Sequence, residues 1–183
     1  TMPAPMAALT ADPELQVDGY ICPAHVSAII GSDAYRPVVE QCRVPCVVTG
    51  FEPLDMLKGI QMLATQVVEG RAEVENEYSR VVKPQGNPKA RELLYTVFEP
   101  ADARWRGIGV IPGSGLSIRS EFAGFDAARA IEVEVEEPIE HQGCLCGEIL
   151  KGKVRPGDCP LFRTVCTPED PVGACMVSSE GTC

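Results

Sequence analysis

The chain predicts an α/β body followed by an irregular cysteine-rich module, on three observations. Short apolar runs alternate with amphipathic stretches over the first two thirds, the punctuation of strands alternating with helices. The periodicity fades after Gln142-Gly143, where Gly147, Gly152, Pro156, Gly157, Pro160, Pro168, Pro171 and Gly173 break up any long element. Six of the nine cysteines then fall between Cys144 and Cys183. The division is drawn at 1–142 for the body and 143–183 for the module.

Val17 to Cys22 reads as a buried strand, followed by Pro23 and a helical stretch, His25 to Ile30, that closes at Gly31. Val44 to Thr49 repeats the idea with an apolar, β-branched run. It leads through Gly50-Phe51-Glu52-Pro53 into a helix with Leu54, Leu57, Ile60, Leu63 and Val67 at helical spacing, where Pro53 suits the first turn. Asn87-Pro88 supplies an N-cap and first residue for the next helix, with Ala90, Leu93, Leu94 and Val97 on one face. Trp105 to Ile111 is a third strand candidate, Glu121 to Ala130 a short helix, and Ile131 to Val135 alternates strictly, as a strand with one acidic face does.

Composition narrows the function. With 183 residues, 45% of them hydrophobic, the chain buries one ordinary core and a small appended module. A net charge of -10 opposes a phosphate backbone, so nucleic acid is set aside. No apolar run approaches the ~20 residues of a membrane span, and no basic flank leads into an apolar signal region. The expectation is a cytoplasmic protein with no membrane partner.

The tail reads Cys144-x-Cys146-x12-Cys159-x6-Cys166-x8-Cys175-x7-Cys183. An exported disulfide scaffold spreads its cysteines throughout a short chain, because the bridges replace a missing core. Clustering favours a metal or redox site. Four thiolates close a 4Fe-4S cluster, and loops rich in Gly and Pro let backbone amides turn toward sulfur. The two left over could form a dithiol exchanging electrons with it. Structural zinc is the alternative, although its paired C-x2-C knuckles are missing. A wholly disulfide-bonded tail ranks third.

Long motifs in series resemble the HypD family of nickel-iron hydrogenase maturation proteins. They are Val48-Thr49-Gly50-Phe51-Glu52-Pro53-Leu54-Asp55, Val74-Glu75-Asn76-Glu77-Tyr78-Ser79-Arg80, Trp105-Arg106-Gly107-Ile108-Gly109, Gly143-Cys144-Leu145-Cys146-Gly147-Glu148, Cys166-Thr167-Pro168-Glu169 and Cys175-Met176-Val177-Ser178-Ser179-Glu180-Gly181. The resemblance runs from about Pro3 to Cys183. It implies a Rossmann-like α/β body and an accessory scaffold, more than a classical enzyme, that holds iron while carbonyl and cyanide ligands are installed. A HypC-type chaperone, a HypE-type cyanide donor and, indirectly, the hydrogenase large subunit are the implied partners. The family's tail is similar to ferredoxin:thioredoxin reductase. That likeness makes Cys144, Cys159, Cys166 and Cys183 the 4Fe-4S ligands and Cys146 with Cys175 the redox dithiol. The family also has an N-terminal half roughly as long again, with a cysteine-rich motif, and a short aromatic tail; the expectation is of a partial chain. The rivals are a freestanding iron-sulfur disulfide reductase and a structural zinc module.

His25 follows a strand end, where α/β folds place ligands, and the family sets a histidine here facing its cleft, as a ligand or proton donor for the iron unit. Glu180, near Cys183, is a proton-shuttle candidate, with a solvated acid in a turn as the plainer reading. Gly50-Phe51-Glu52-Pro53 opens a helix whose free amides could hold an anion, or is simply a tight turn. Glu75, Asn76, Tyr78 and Arg80 are candidates for partner or cleft contacts. Gly113-Ser114-Gly115 lacks the lysine of a phosphate loop and the framing of a nucleophile elbow. Cys22, Cys42 and Cys46 read as small buried hydrophobes.

Overall fold

The computed structural model describes residues 3–105, 108–132, 141–178 and 181–183. It is α/β, with a three-stranded parallel sheet in the order β1-β2-β3. Helix α1 (Pro3–Thr10) precedes β1 (Tyr20–Pro23) and α2 (Ala24–Ile30). A 3-10 turn at Ser32–Tyr35 leads into α3 (Arg36–Cys42). Strand β2 (Cys46–Thr49), α4 (Pro53–Glu69) and β3 (Val74–Asn76) complete the sheet. Tyr20 pairs with Cys46 and Cys46 with Val74.

All four residues of β2 are buried, as the centre of a parallel sheet requires. Its apolar run was the clearest strand signal in the sequence for that reason. Val38, Val47 and Val48 are fully enclosed, each stabilising the fold by about 1.5 kcal/mol or more through area removed from water. Tyr35 is also sealed in, and its hydroxyl lies 3.0 Å from Ser27 Oγ.

Helix α4 is bounded as expected, with Pro53 in its first turn and Gly70 at φ 64° beyond its end. Its orientation is not what the leucine spacing suggests. The residues that face inward are Asp55, Gly59 and Gln66. Gly59 allows a close approach to Thr49, since a Cβ there would come within 2.9 Å of Thr49 Cβ. Gln66 donates to Glu75 Oε2 at 2.6 Å and accepts from the Glu73 amide at 2.8 Å. Leu54, Leu57, Ile60 and Val67 are left exposed.

Helix α5 (Pro88–Val97) starts where expected, with Asn87 accepting from the Ala90 amide at 3.1 Å. None of its residues is buried. The strand expected from Trp105 to Ile111 is instead divided between the ends of two antiparallel strands, β4 (Phe98–Trp105) and β5 (Gly109–Ile118), with Arg106 and Gly107 outside the described residues. Gly109, at φ 107°, takes a backbone conformation open to glycine and starts the return strand. Ser114 is buried in β5, where it accepts the Trp105 indole N–H at 2.8 Å, so the Gly-Ser-Gly segment is structural. The helix expected from Glu121 to Ala130 is broken into a 3-10 helix, Ser120–Phe125, and α6, Ala127–Ala130, which Asp126 caps. Of the strand expected at Ile131 to Val135, the first two residues belong to no strand and the rest lie outside the described residues.

The tail has one α-helix among its described residues, α7 (Cys146–Leu150), with two 3-10 turns at Pro156–Asp158 and Ala174–Met176. It has its own core of Ile149, Cys159, Leu161, Cys166 and Met176. A clasp ties it to the N-terminal segment: Gln16 N–H donates to the Lys151 carbonyl at 2.8 Å, Lys151 pairs with Asp12 at 2.8 Å, and Lys153 with Glu14 at 3.1 Å. Among the described residues no helix is long and apolar enough to cross a membrane.

Candidate metal and redox site

All six tail cysteines line one apolar pocket, with Ile149, Leu161 and Met176 between them, closed around a cavity of only about 10 Å³. Cys146, at the start of α7, and Cys175, in the last 3-10 turn, are buried. Their sulfurs stand 2.7 Å apart, and the Cys175 amide points at Cys146 Sγ from 3.2 Å. Burial pushes the Cys175 thiol well above its ordinary value, and the hydrogen bond with Cys146 adds to the shift.

Cys144, Cys159, Cys166 and Cys183 surround the rest of the pocket, none of them in a disulfide. The Val172 amide donates to Cys166 Sγ at 3.3 Å. Gly173 leaves room for Cys144: a Cβ there would lie 2.6 Å from its sulfur. Burial raises the Cys144 and Cys183 thiols, so a metal held there must displace protons. Four free thiols facing an apolar space, beside a fifth and sixth in sulfur–sulfur contact, fit the donor set of an iron-sulfur cluster. Among the described residues no three His, Cys, Asp or Glu side chains are grouped to hold a single ion.

A second pocket, about 390 Å³, opens beyond the C-terminal ends of β1 and β2. His25 is exposed on its wall, with its ring 5.3 Å from that of Phe51, and Glu52 and Tyr78 complete the lip. Arg80 lies 3.8 Å over the Tyr78 ring, donates to both Asp55 carboxylate oxygens at 3.0 and 2.5 Å, and approaches Glu52 at 3.7 Å. The Arg80 guanidinium holds the Asp55 carboxyl below its usual range. Glu52 and Asp55 already occupy the helix entrance, so an anion there would meet two carboxylates.

Of the other candidates, Glu75 is engaged by Gln66 and Asn76 donates to the Val82 carbonyl at 2.9 Å, both structural ties. Tyr78 and Arg80 belong to the pocket lip. Cys22 and Cys46 are wholly buried in the body and Cys42 is half-buried. Glu180 lies outside the described residues. Asp55 and Gly173 were not singled out by the sequence, although Asp55 sits in a quoted motif and Gly173 is two residues before Cys175.

The family model described as "HypD: Hydrogenase formation hypA family" matches residues 1–183. The chain belongs to the HypD family. The chain is 50% identical over 187 residues to the hydrogenase maturation factor HypD of Azotobacter vinelandii, covering 99% of this chain and 49% of that protein. It is 48% identical over 168 residues to HypD of Cupriavidus necator, covering 91% and 44%. The HypD of Rhodobacter capsulatus is 42% identical over 188 residues, covering 100% and 50%. This HypD-family chain thus spans about half the length of the curated relatives it matches.

Proposed function

We propose that this chain serves nickel-iron hydrogenase maturation as the cluster-bearing part of a scaffold on which the iron centre receives its carbonyl and cyanide ligands. The observation that carries the reading is the convergence of all six tail cysteines on one apolar pocket with the Cys146 and Cys175 sulfurs in contact. Cys144, Cys159, Cys166 and Cys183 would hold a 4Fe-4S cluster, which supplies single electrons beside the dithiol when bound. The chain's own step is thiol chemistry. Closing the Cys146–Cys175 bond releases two electrons and two protons, and reopening it takes them back.

The iron unit is cargo in this reading. The pocket of His25, Phe51, Glu52 and Tyr78 offers it an imidazole and a carboxylate, with Arg80 holding the Glu52 and Tyr78 side of the lip in place. HypC-type and HypE-type proteins would be the partners that bring and modify the cargo, in a cytoplasmic setting.

The test is an anaerobic absorbance spectrum with iron, zinc and acid-labile sulfide analysis on one purified sample. Broad absorbance near ~400 nm with about four irons per chain supports the cluster. Zinc alone, on colourless protein, would sink the redox mechanism.

A further inference from the structure

The cysteine chamber is sealed. Its cavity of about 10 Å³ is at the foot of the roughly 10–15 Å³ that one water molecule needs, although six sulfurs face it. Anything placed among those sulfurs must push a wall outward. On one side the chamber backs onto a second, open pocket of about 280 Å³, whose lining includes Pro168, Val177, Ser178 and Gly181. Two residues face both spaces, Met176 and Cys183. Met176 is 6% exposed, and its side chain is the larger part of the partition.

The other apolar walls are fixed. Ile149 lies in α7, its amide donating to the Leu145 carbonyl at 2.9 Å, and the clasp at Lys151 follows directly. The Leu161 carbonyl accepts the Cys166 amide at 2.8 Å and the Thr164 amide at 3.2 Å. Phe162, half-buried, has the Arg163 guanidinium 5.1 Å over its ring. The backbone under Met176 is held as well. Its amide donates to the Gly173 carbonyl at 3.0 Å, Gly173 abuts Cys144 Sγ, and the Cys183 amide donates to the Cys175 carbonyl at 3.1 Å. What is left to move is the Met176 side chain, unbranched, with three rotatable bonds, and with the open pocket beside it to receive it.

We propose that Met176 is the gate of the cysteine chamber: its side chain turns out into the neighbouring pocket and lets small thiophilic species, a soft metal ion or a thiol reagent, reach the buried sulfurs. The gate deepens the metal reading above and rests on it for what passes, but access itself is a property of the metal-free chain. With the side chain turned in, Cys159 and Cys166 are shielded on every side. The device is steric: no bond is made or broken and no charge changes. A β-branched side chain in place of Met176 stiffens the partition, and a methyl group leaves it ajar.

Pulse alkylation with mass mapping tests the gate on the reduced, metal-free chain. The labelling rate of a sealed thiol follows the population of the open form, so Met176→Ala should raise iodoacetamide labelling of Cys159 and Cys166 roughly ten-fold. Cys22 and Cys46, sealed in the body, should label as before, and a maleimide carrying a long polymer should stay excluded. Met176→Ile should slow the small reagent several-fold. Unchanged rates in both variants would overturn the proposal. So would entry of the large reagent, which would mean that the module has come apart, or a gain on Phe162→Ala in place of Met176→Ala, which would put the opening in another wall. Iron analysis of the same variants separates the two readings. Gated labelling in a chain that takes up no iron would remove the metal assignment and keep the gate; full iron uptake with ungated labelling would do the reverse.

Discussion

Cys146 Sγ and Cys175 Sγ lie 2.7 Å apart, brought together from positions 29 residues distant, with the Cys175 amide aimed at Cys146 sulfur. The other four tail cysteines share their pocket without such a contact between them in the hydrogen-bonding pattern. Mild thiol oxidant on the metal-free chain should therefore close this pair first, and peptide mapping should recover a Cys146–Cys175 bridge. Cys146→Ser should prevent it. A different first bridge would reassign the dithiol.

The division of labour within the six extends to metal. Cys159→Ser or Cys166→Ser should abolish absorbance near ~400 nm, whereas Cys146→Ser should retain it, because only the former would remove a cluster ligand. Iron content measured on the same samples checks the assignment.

Gly173 tests whether the pocket depends on close packing. A Cβ there would sit 2.6 Å from Cys144 Sγ, so Gly173→Ala must displace that sulfur or the loop. The expected outcome is at least a several-fold drop in bound iron with the far-ultraviolet circular dichroism of the body preserved. Unchanged iron would show that Cys144 is free to move.

Gln66 is fully buried and bonds with both Glu75 and the Glu73 amide. Gln66→Leu leaves both without that partner, a cost of about 1–3 kcal/mol. Urea denaturation should show the loss as a lower midpoint with an unchanged slope.

The Asp55–Arg80 pair sets a pH dependence. Arg80, followed by a hydrogen bond with Glu52, depresses the Asp55 carboxyl in the folded state. A depressed carboxylate contributes stability that is present above its unfolded value, about 3.9, and is lost as pH falls through the lower folded value. Arg80→Met should remove that contribution at neutral pH and flatten the loss below pH ~4. Thermal melts of both proteins across pH 2–7 would measure it; parallel curves would contradict the pairing.

Much of this architecture is legible in the chain. The run into Thr49 marks the sheet centre because a strand buried on both faces must be apolar throughout. Asn87-Pro88 and Pro53 mark helix starts through backbone chemistry that acts locally. The cysteines of the tail announce a shared site by clustering alone. What periodicity does not reveal is which side of a helix the sheet takes. In α4 the apolar row and the inward row of Asp55, Gly59 and Gln66 differ, and the choice rests on contacts with Thr49, Glu75 and Arg80 that are distant in sequence. The hairpin was hidden because Trp105, Ile108, Val110 and Ile111, which belong to both sides of it, lie close enough in sequence to read as one apolar run. The clasp of Lys151 and Lys153 on Asp12 and Glu14 was invisible for the same reason of distance.

That clasp also has a schedule. Its two sides lie 139 residues apart for Lys153 and Glu14, so at roughly 5–20 residues per second of synthesis about 7 to 28 seconds separate their emergence. By then all three sheet strands, complete at Asn76, have left the ribosome. The cysteine module should therefore dock last, onto a framework already assembled. Pulse-labelled nascent chains halted just before Lys151 should resist protease over the sheet while Cys144 and Cys146, the tail cysteines already made, still react freely. On that timing, docking of the tail follows an interval in which its thiols stand open to solvent and to any metal they would bind.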